Sequence, residues 1–190
     1  MAMLALVTGA PDRAAPVRDA LEGNGVRCIV AGSLAALTQT VLNEPVDIYV
    51  QLPIVIQPRG DELVARIRNF LTDGLLARFD MASTVLPLLA PGARVVLVGG
   101  HTNIMPTAPD DPSARLALIN VLAHAIKAQR APEPVQVHVL DHMETASEVT
   151  AAALGGSRAT QASPGLSPED AGMSYEDWRV EVMGMVGVHL

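Results

Sequence analysis

Five short apolar runs, most of them without regular polar alternation, punctuate this chain: 3–7, 26–31, 46–50, 94–98 and 135–140. Such runs are the mark of strands covered on both faces of a parallel sheet. The segments between them carry apolar residues at helical spacing. An alanine-rich helix begins at Pro11-Asp12, runs to about Glu22 and is closed by Gly23-Asn24-Gly25. Ser33 is placed to cap a short helix, Leu34 to Leu42. Asp61 is placed to cap a long one, along which Leu63, Ile67, Phe70, Leu71, Leu75, Phe79 and Leu86 form the apolar positions. Gly74 interrupts that helix without ending it, and Pro91-Gly92 stops the chain before the fourth strand. Further helices are expected from about Pro112 to Gln129 and from Glu144 to Leu154.

Strands alternating with helices predict a Rossmann-like, doubly wound α/β domain with a mainly parallel sheet, spanning 1–154. In such sheets ligands collect at the carboxyl ends of the strands, so the turn Gly99-Gly100-His101-Thr102 is where a site is expected. From 155 to 172 the composition shifts to Gly, Ser, Pro and Ala, a linker that cannot bury enough apolar surface to order itself. The segment 173–190 holds Trp178, the one tryptophan, among valines and methionines. It reads as an arm that docks on its own domain or on another subunit.

Composition narrows the function classes. The 190 residues are 49% hydrophobic but only 3% aromatic, so Val, Leu, Ala, Ile and Met must build the core. A net charge of −7 argues against a nucleic-acid partner, which would need a basic surface. The single cysteine, Cys28, lies in a strand expected to be buried, rules out an intrachain disulfide and suits an inert small hydrophobe in a reducing compartment. With no basic leader and no apolar run of membrane-spanning length, a cytoplasmic protein without a membrane partner is expected.

Candidate chemistry is sparse. His101 follows the fourth strand and Asp141-His142 the fifth, so the three would converge if those strands are neighbours. A His/Asp/His set suits zinc or a general base, whereas isolated histidines in turns are ordinarily solvated loop residues. His138-x-x-x-His142 lacks the helical spacing needed to share a metal, because His138 reads as strand. No metal is expected.

The layout from 3 to 142 resembles the short-chain dehydrogenase/reductase family. The phrases that carry the resemblance are Leu-Val-Thr8-Gly9 after the first strand, Val46-Asp47-Ile48-Tyr49-Val50, Val85-Leu86-Pro87-Leu88-Leu89 followed by Gly92, and Val95-Val96-Leu97-Val98. The helix beginning Asp111-Pro-Ser-Ala-Arg115 and the strand Val135-Gln-Val-His-Val139 fall where the family has its catalytic helix and next strand. The resemblance implies NAD(P)-dependent oxidoreduction, with the cofactor near Thr8, Gly9, Arg13, Gln51, Gly99 and Gly100.

Each family element departs from the pattern. In the cofactor turn Thr-Gly-x-x-x-Gly-x-Gly, Gly9 is kept but Arg13 and Ala15 replace the other glycines. Arg13 reads either as a phosphate clamp or as a solvated arginine. Ala31-Gly32-Ser33 supplies neither an acid for the ribose nor a base for a 2′-phosphate. The Asn-Ala-Gly turn has become Gln51-Leu52-Pro53, and the helical asparagine aligns with Gly74. The family's tyrosine and lysine are replaced by Asp111 and Arg115, and its serine falls at Gly99-Gly100. A neighbouring arginine lowers a carboxyl pKa, so Asp111 suits a helix cap with Arg115 as its partner better than a proton shuttle.

The expectation is therefore a degenerate, non-catalytic relative with no cofactor, acting as a binding or structural subunit. Its partner would be a second copy or an active paralogue, docked through the helices Asp61 to Leu89 and Pro112 to Gln129. One alternative is an atypical NAD(P)-dependent oxidoreductase with Arg13 on phosphate and His101 as proton donor, or a metal-free acid/base catalyst at the same edge; the catalytic candidates are His101, Asp111 and Arg115. Another is a small-molecule sensor using the vacated cofactor cleft.

Overall fold

Residues apolar on both parities form the middle of the sheet. The structure, a computed structural model, describes residues 2–39, 44–53, 62–100, 112–141 and 145–156. All lie in one compact unit, Met1–Ala159; a second unit, Thr160–Leu190, lies outside the described residues, and with it the expected arm and nearly all of the linker. Strands β1 (Leu4–Thr8), β2 (Arg27–Ala31), β3 (Val46–Gln51), β4 (Leu89–Val98) and β5 (Gln136–Leu140) form one sheet in the order β2-β1-β3-β4-β5, parallel throughout. Helices are α1 (Pro11–Gly23), α2 (Leu34–Gln39), α3 (Leu63–Asn69), α4 (Ala77–Val85), α5 (Pro112–Gln129) and α6 (Ala146–Ala153).

Side-chain alternation sorts the core into two layers. Ala5, Val7, Ile48, Val50, Val96 and Val98 face α1 and α6, meeting Val17, Leu21, Val149 and Ala152. Leu4, Leu6, Tyr49, Val95 and Leu97 face the other way, onto Leu37 of α2, Ala82 and Val85 of α4, and Leu122 and Ile126 of α5. This is the doubly wound architecture the sequence predicts. No helix among the described residues is long and apolar enough to cross a membrane.

Local signals explain two of the helix starts. Ser33 Oγ accepts from the Ala36 N–H at 3.1 Å, capping α2 as expected. Thr145 and Glu148 form a reciprocal capping box at α6, the Glu148 carboxylate accepting from the Thr145 N–H at 2.8 Å. The Asp61 cap lies outside the described residues.

Three expectations are corrected. The helix after Glu62 is not uniform: a π-helical segment, Phe70–Leu76, joins α3 to α4 and a 3-10 turn, Leu86–Leu88, follows. A π turn holds more residues than an α turn and so rotates every later side chain. The buried face of α4 is accordingly Arg78, Met81, Ala82 and Val85, while Ile67 and Leu71, expected to be inward, are exposed. Pro91-Gly92 does not precede β4 but lies within it, where the register to β3 shifts and Gly92 takes a φ of 74°. Cys28 is half-buried rather than buried, because β2 is an edge of the sheet.

Candidate functional site

The strand order reverses between β1 and β3, so the segments leaving these two strands flank the crevice where an α/β sheet of this kind takes its ligand. Here the two segments are joined. The Leu52 N–H donates to the Thr8 carbonyl at 2.7 Å, and the Ala10 N–H to the Pro53 carbonyl at 3.2 Å. Gly9 has a φ of 126°, and a Cβ there would lie 2.7 Å from both the Cβ and the carbonyl oxygen of Leu52. The turn glycine is thus required by a contact within the chain.

At the start of α1, Pro11 contributes no N–H, and Asp12 places a carboxylate in the first turn. The Arg13 and Ala14 N–H groups already reach the Ala10 carbonyl, at 3.1 and 2.9 Å. Arg13 is half-buried in that turn and engaged by its side chain or backbone elsewhere in the chain.

Behind the crevice lies a buried polar chain. Thr8, Tyr49 and Gln51 share one side of the sheet by strand parity, and all three are fully enclosed. Thr8 Oγ1 and Tyr49 Oη are 3.1 Å apart. Gln51 Nε2 donates to Tyr49 Oη at 3.0 Å and to the Arg78 carbonyl at 2.9 Å, while its Oε1 accepts from Arg78 Nε at 2.9 Å. Arg78 Nη2 donates to the Val98 carbonyl at 2.7 Å and more weakly to the Gln51 carbonyl at 3.5 Å. Burial draws the Arg78 guanidinium down to about 10 and pushes the Tyr49 phenol up. Neither group is poised to exchange a proton near neutral pH.

The sequence-derived candidates separate accordingly. Thr8 and Gln51 sit at the crevice but spend their side chains on the interior chain. Gly9 is occupied by Leu52. Gly99 is buried and its N–H donates to the Leu140 carbonyl at 2.8 Å, while Gly100 is half-exposed beside Pro53 and Arg78. His101 and Asp111 lie outside the described residues, as does the side chain of Arg115 in α5. The strands β4 and β5 are neighbours, as the His101–Asp141–His142 idea required, with Val98 opposite Leu140. His142 is outside the described residues, and among them no cluster of three metal-ligating side chains occurs. Cys28 holds its proton, its thiol pushed up to about 11 by burial and by Glu22.

Arg78 is the residue that sequence reasoning missed. Its signal was available: it shares the spacing of Met81, Ala82 and Val85, an arginine on an inward stripe.

No protein-family model matches the chain, and no curated protein matches its sequence. Solved structures do resemble it. A short-chain dehydrogenase/reductase from Serratia marcescens superposes with a TM-score of 0.52 at 17% identity, over 80% of this chain and 86% of that one. A putative short-chain alcohol dehydrogenase from Burkholderia multivorans gives 0.55 at 9% identity, over 79% and 87%. At these identities the likeness speaks to architecture, and it agrees with the sheet, the helical layers and the sequence phrases. The chain has the fold of the short-chain dehydrogenase/reductases.

Proposed function

We propose that this chain is a non-catalytic protein on the dehydrogenase fold, a binding or structural subunit whose dinucleotide crevice is filled by its own residues. The observation that carries this reading is the bond from the Ala10 N–H to the Pro53 carbonyl over the Gly9–Leu52 contact. A pyrophosphate held at a helix start needs free N–H donors and close backbone approach. Here one amide is taken, Pro11 has none, Leu52 occupies the approach at Gly9, and Asp12 opposes an anion. These residues do not fit NAD(P). The replacement of the family's tyrosine and lysine by Asp111 and Arg115 supports the same reading.

Assembly with a second copy or an active paralogue is part of the proposal. It is supported by large aliphatic side chains exposed on helical surfaces, among them Val64, Ile67, Leu71 and Leu76, and Val121 on α5.

The test is titration of the purified protein with NAD⁺, NADH, NADP⁺ and NADPH, following heat of binding and thermal midpoint together. The expected result is no saturable heat and no shift with any of the four. A ligand present at a hundred times its dissociation constant stabilises a fold by about 2.7 kcal/mol, so binding would be seen readily. Saturation in the micromolar range would overturn the proposal and restore the oxidoreductase reading.

A further inference from the structure

Strand β2 ends the sheet on one side, paired with β1 alone among the described strands. The Arg27 N–H donates to the Met3 carbonyl at 3.0 Å, so by the alternation of a parallel ladder Arg27, Ile29 and Ala31 turn their backbone groups toward β1. Cys28 and Val30 turn theirs outward, where no strand among the described residues meets them. Natural sheet edges are blunted by charge, proline or a bulge. From Cys28 to Ala31 this edge has no charged residue, no proline and an unbroken register, and Val30 is 36% exposed.

We propose that the β2 edge is an interface between two copies of this chain, which pair antiparallel about a two-fold axis at Ile29 and continue the sheet from one copy into the other. In that register Cys28 stands opposite Val30 of the second copy and exchanges both backbone bonds with it. Symmetry repeats the exchange, so every outward N–H and C=O of Cys28 and Val30 gains a partner. Arg27 falls opposite Ala31 of the second copy, and no like charges face each other.

The surface beside the edge favours a second copy over an unrelated extended peptide. Cys28 packs on the α1 side of the sheet, and Val30 shares that side by strand parity. There α1 carries Arg18 with Asp19 and Glu22, all exposed, and the charges of Arg18 and Glu22 both act on the Cys28 thiol, which places them near the open strand. The two-fold sets the two α1 helices antiparallel, turning Arg18 of each copy toward Asp19 and Glu22 of the other. A patch holding both signs is its own complement, whereas a peptide of one sign would match only half of it. The inference rests on the assembly proposed above and gives it a partner and a surface distinct from the aliphatic strip of α3.

The test uses the full-length chain. Light scattering and sedimentation over a concentration series should show reversible self-association, with a Kd on the order of 10 µM for so short an edge. Val30→Lys puts a charge on the edge and should weaken association roughly tenfold or more, with circular dichroism unchanged. A second variant reads the register. Val30→Cys places a thiol opposite Cys28 of the second copy at a Cα separation of about 5.5 Å, within disulfide reach, and mild oxidation at alkaline pH should give a covalent dimer on non-reducing electrophoresis. Wild type, and Val30→Cys combined with Cys28→Ser, should give none, because identical positions then lie on a diagonal of roughly 7–8 Å.

Association of Val30→Lys equal to that of the wild type, or no covalent dimer from Val30→Cys, would overturn the proposal and leave assembly through α3 standing. A wild type that is monomeric at every concentration would overturn this interface and the assembly reading together. The nucleotide titration reads the turn at Gly9 and is independent of either result.

Discussion

The backbone N–H of Ala10 donates to the carbonyl of Pro53 at 3.2 Å, binding the turn after β1 to the segment after β3. Ligands of an α/β sheet collect in the crevice where the strand order reverses, and these two segments flank it. Their union makes Gly9 a structural residue. Gly9→Ala would force a Cβ to within 2.7 Å of the Leu52 carbonyl at a φ of 126°, and neither backbone can yield cheaply. A loss of at least about 2 kcal/mol is expected in urea denaturation. Gly32→Ala is the control, because its added carbon would meet nothing nearer than Pro11 Cγ at 3.6 Å. Comparable losses in both variants would refute the contact at Gly9.

Tyr49 Oη accepts from Gln51 Nε2 and pairs with Thr8 Oγ1, all three residues being fully enclosed. Tyr49→Phe removes one partner from each neighbour and should cost about 1–2 kcal/mol. Thr8→Val removes the other end of the same pair. If the hydroxyls are bonded, the double variant loses less than the sum of the singles, with a coupling of about 0.5–1.5 kcal/mol. Strict additivity would show that the two hydroxyls do not depend on each other.

These residues also mark where sequence reading succeeds and where it stops. The strands were legible because Leu4–Val7, Val46–Val50 and Val95–Val98 are apolar on nearly every residue, a pattern that two-sided burial imposes. The cap at Ser33 and the full extent of α5 were legible from local chemistry. The strand order was not, since pairing between β1 and β3 leaves no trace in either strand's own composition. The π-helical segment was hidden for a related reason: its hydrogen-bond slip changes the phase of the helix, and a fixed 3.6-residue period carries Phe70 and Leu71 forward as though nothing had intervened. The Thr-Gly turn was recognised, but the packing of Gly9 against the segment after β3 was not. Gly9 answers to Leu52, a contact 43 residues away in sequence that no motif encodes.

His138 provides a pH-dependent term. It is half-buried on β5, its Nε2 is enclosed without a hydrogen-bond partner among the described residues, and burial, then Arg94 and Lys127, lower its pKa below the ordinary 6.5. The unfolded chain therefore takes up this proton first as pH falls. Stability from this group is complete above about pH 6.5 and declines as pH falls toward the lower folded value, with a slope no steeper than about 1.4 kcal/mol per pH unit. His138→Gln should flatten that slope. Unfolding free energies of both proteins from pH 7.5 to 5 measure it, and a wild-type-minus-variant difference that does not change with pH would exclude the effect.

The exposed aliphatic positions of α3 test the assembly proposal. Val64 is 65% exposed, Ile67 37% and Leu71, in the π-helical segment, 42%, at three- and four-residue spacing. Isolated apolar residues on a surface need no explanation, but three on successive turns of one helical stretch form a strip that association would cover. Since none of the three contributes to either core layer, charge can be introduced without disturbing the sheet. Val64→Glu with Leu71→Lys should therefore leave circular dichroism and thermal midpoint of the isolated subunit near the wild-type values. If this strip is the contact, the pair should weaken association by about 2 kcal/mol or more, the cost of losing a buried anchor. Light scattering across a concentration series reads this directly. A mass equal to the wild type's at every concentration would exclude the α3 strip as the interface and turn attention to Val121 on α5.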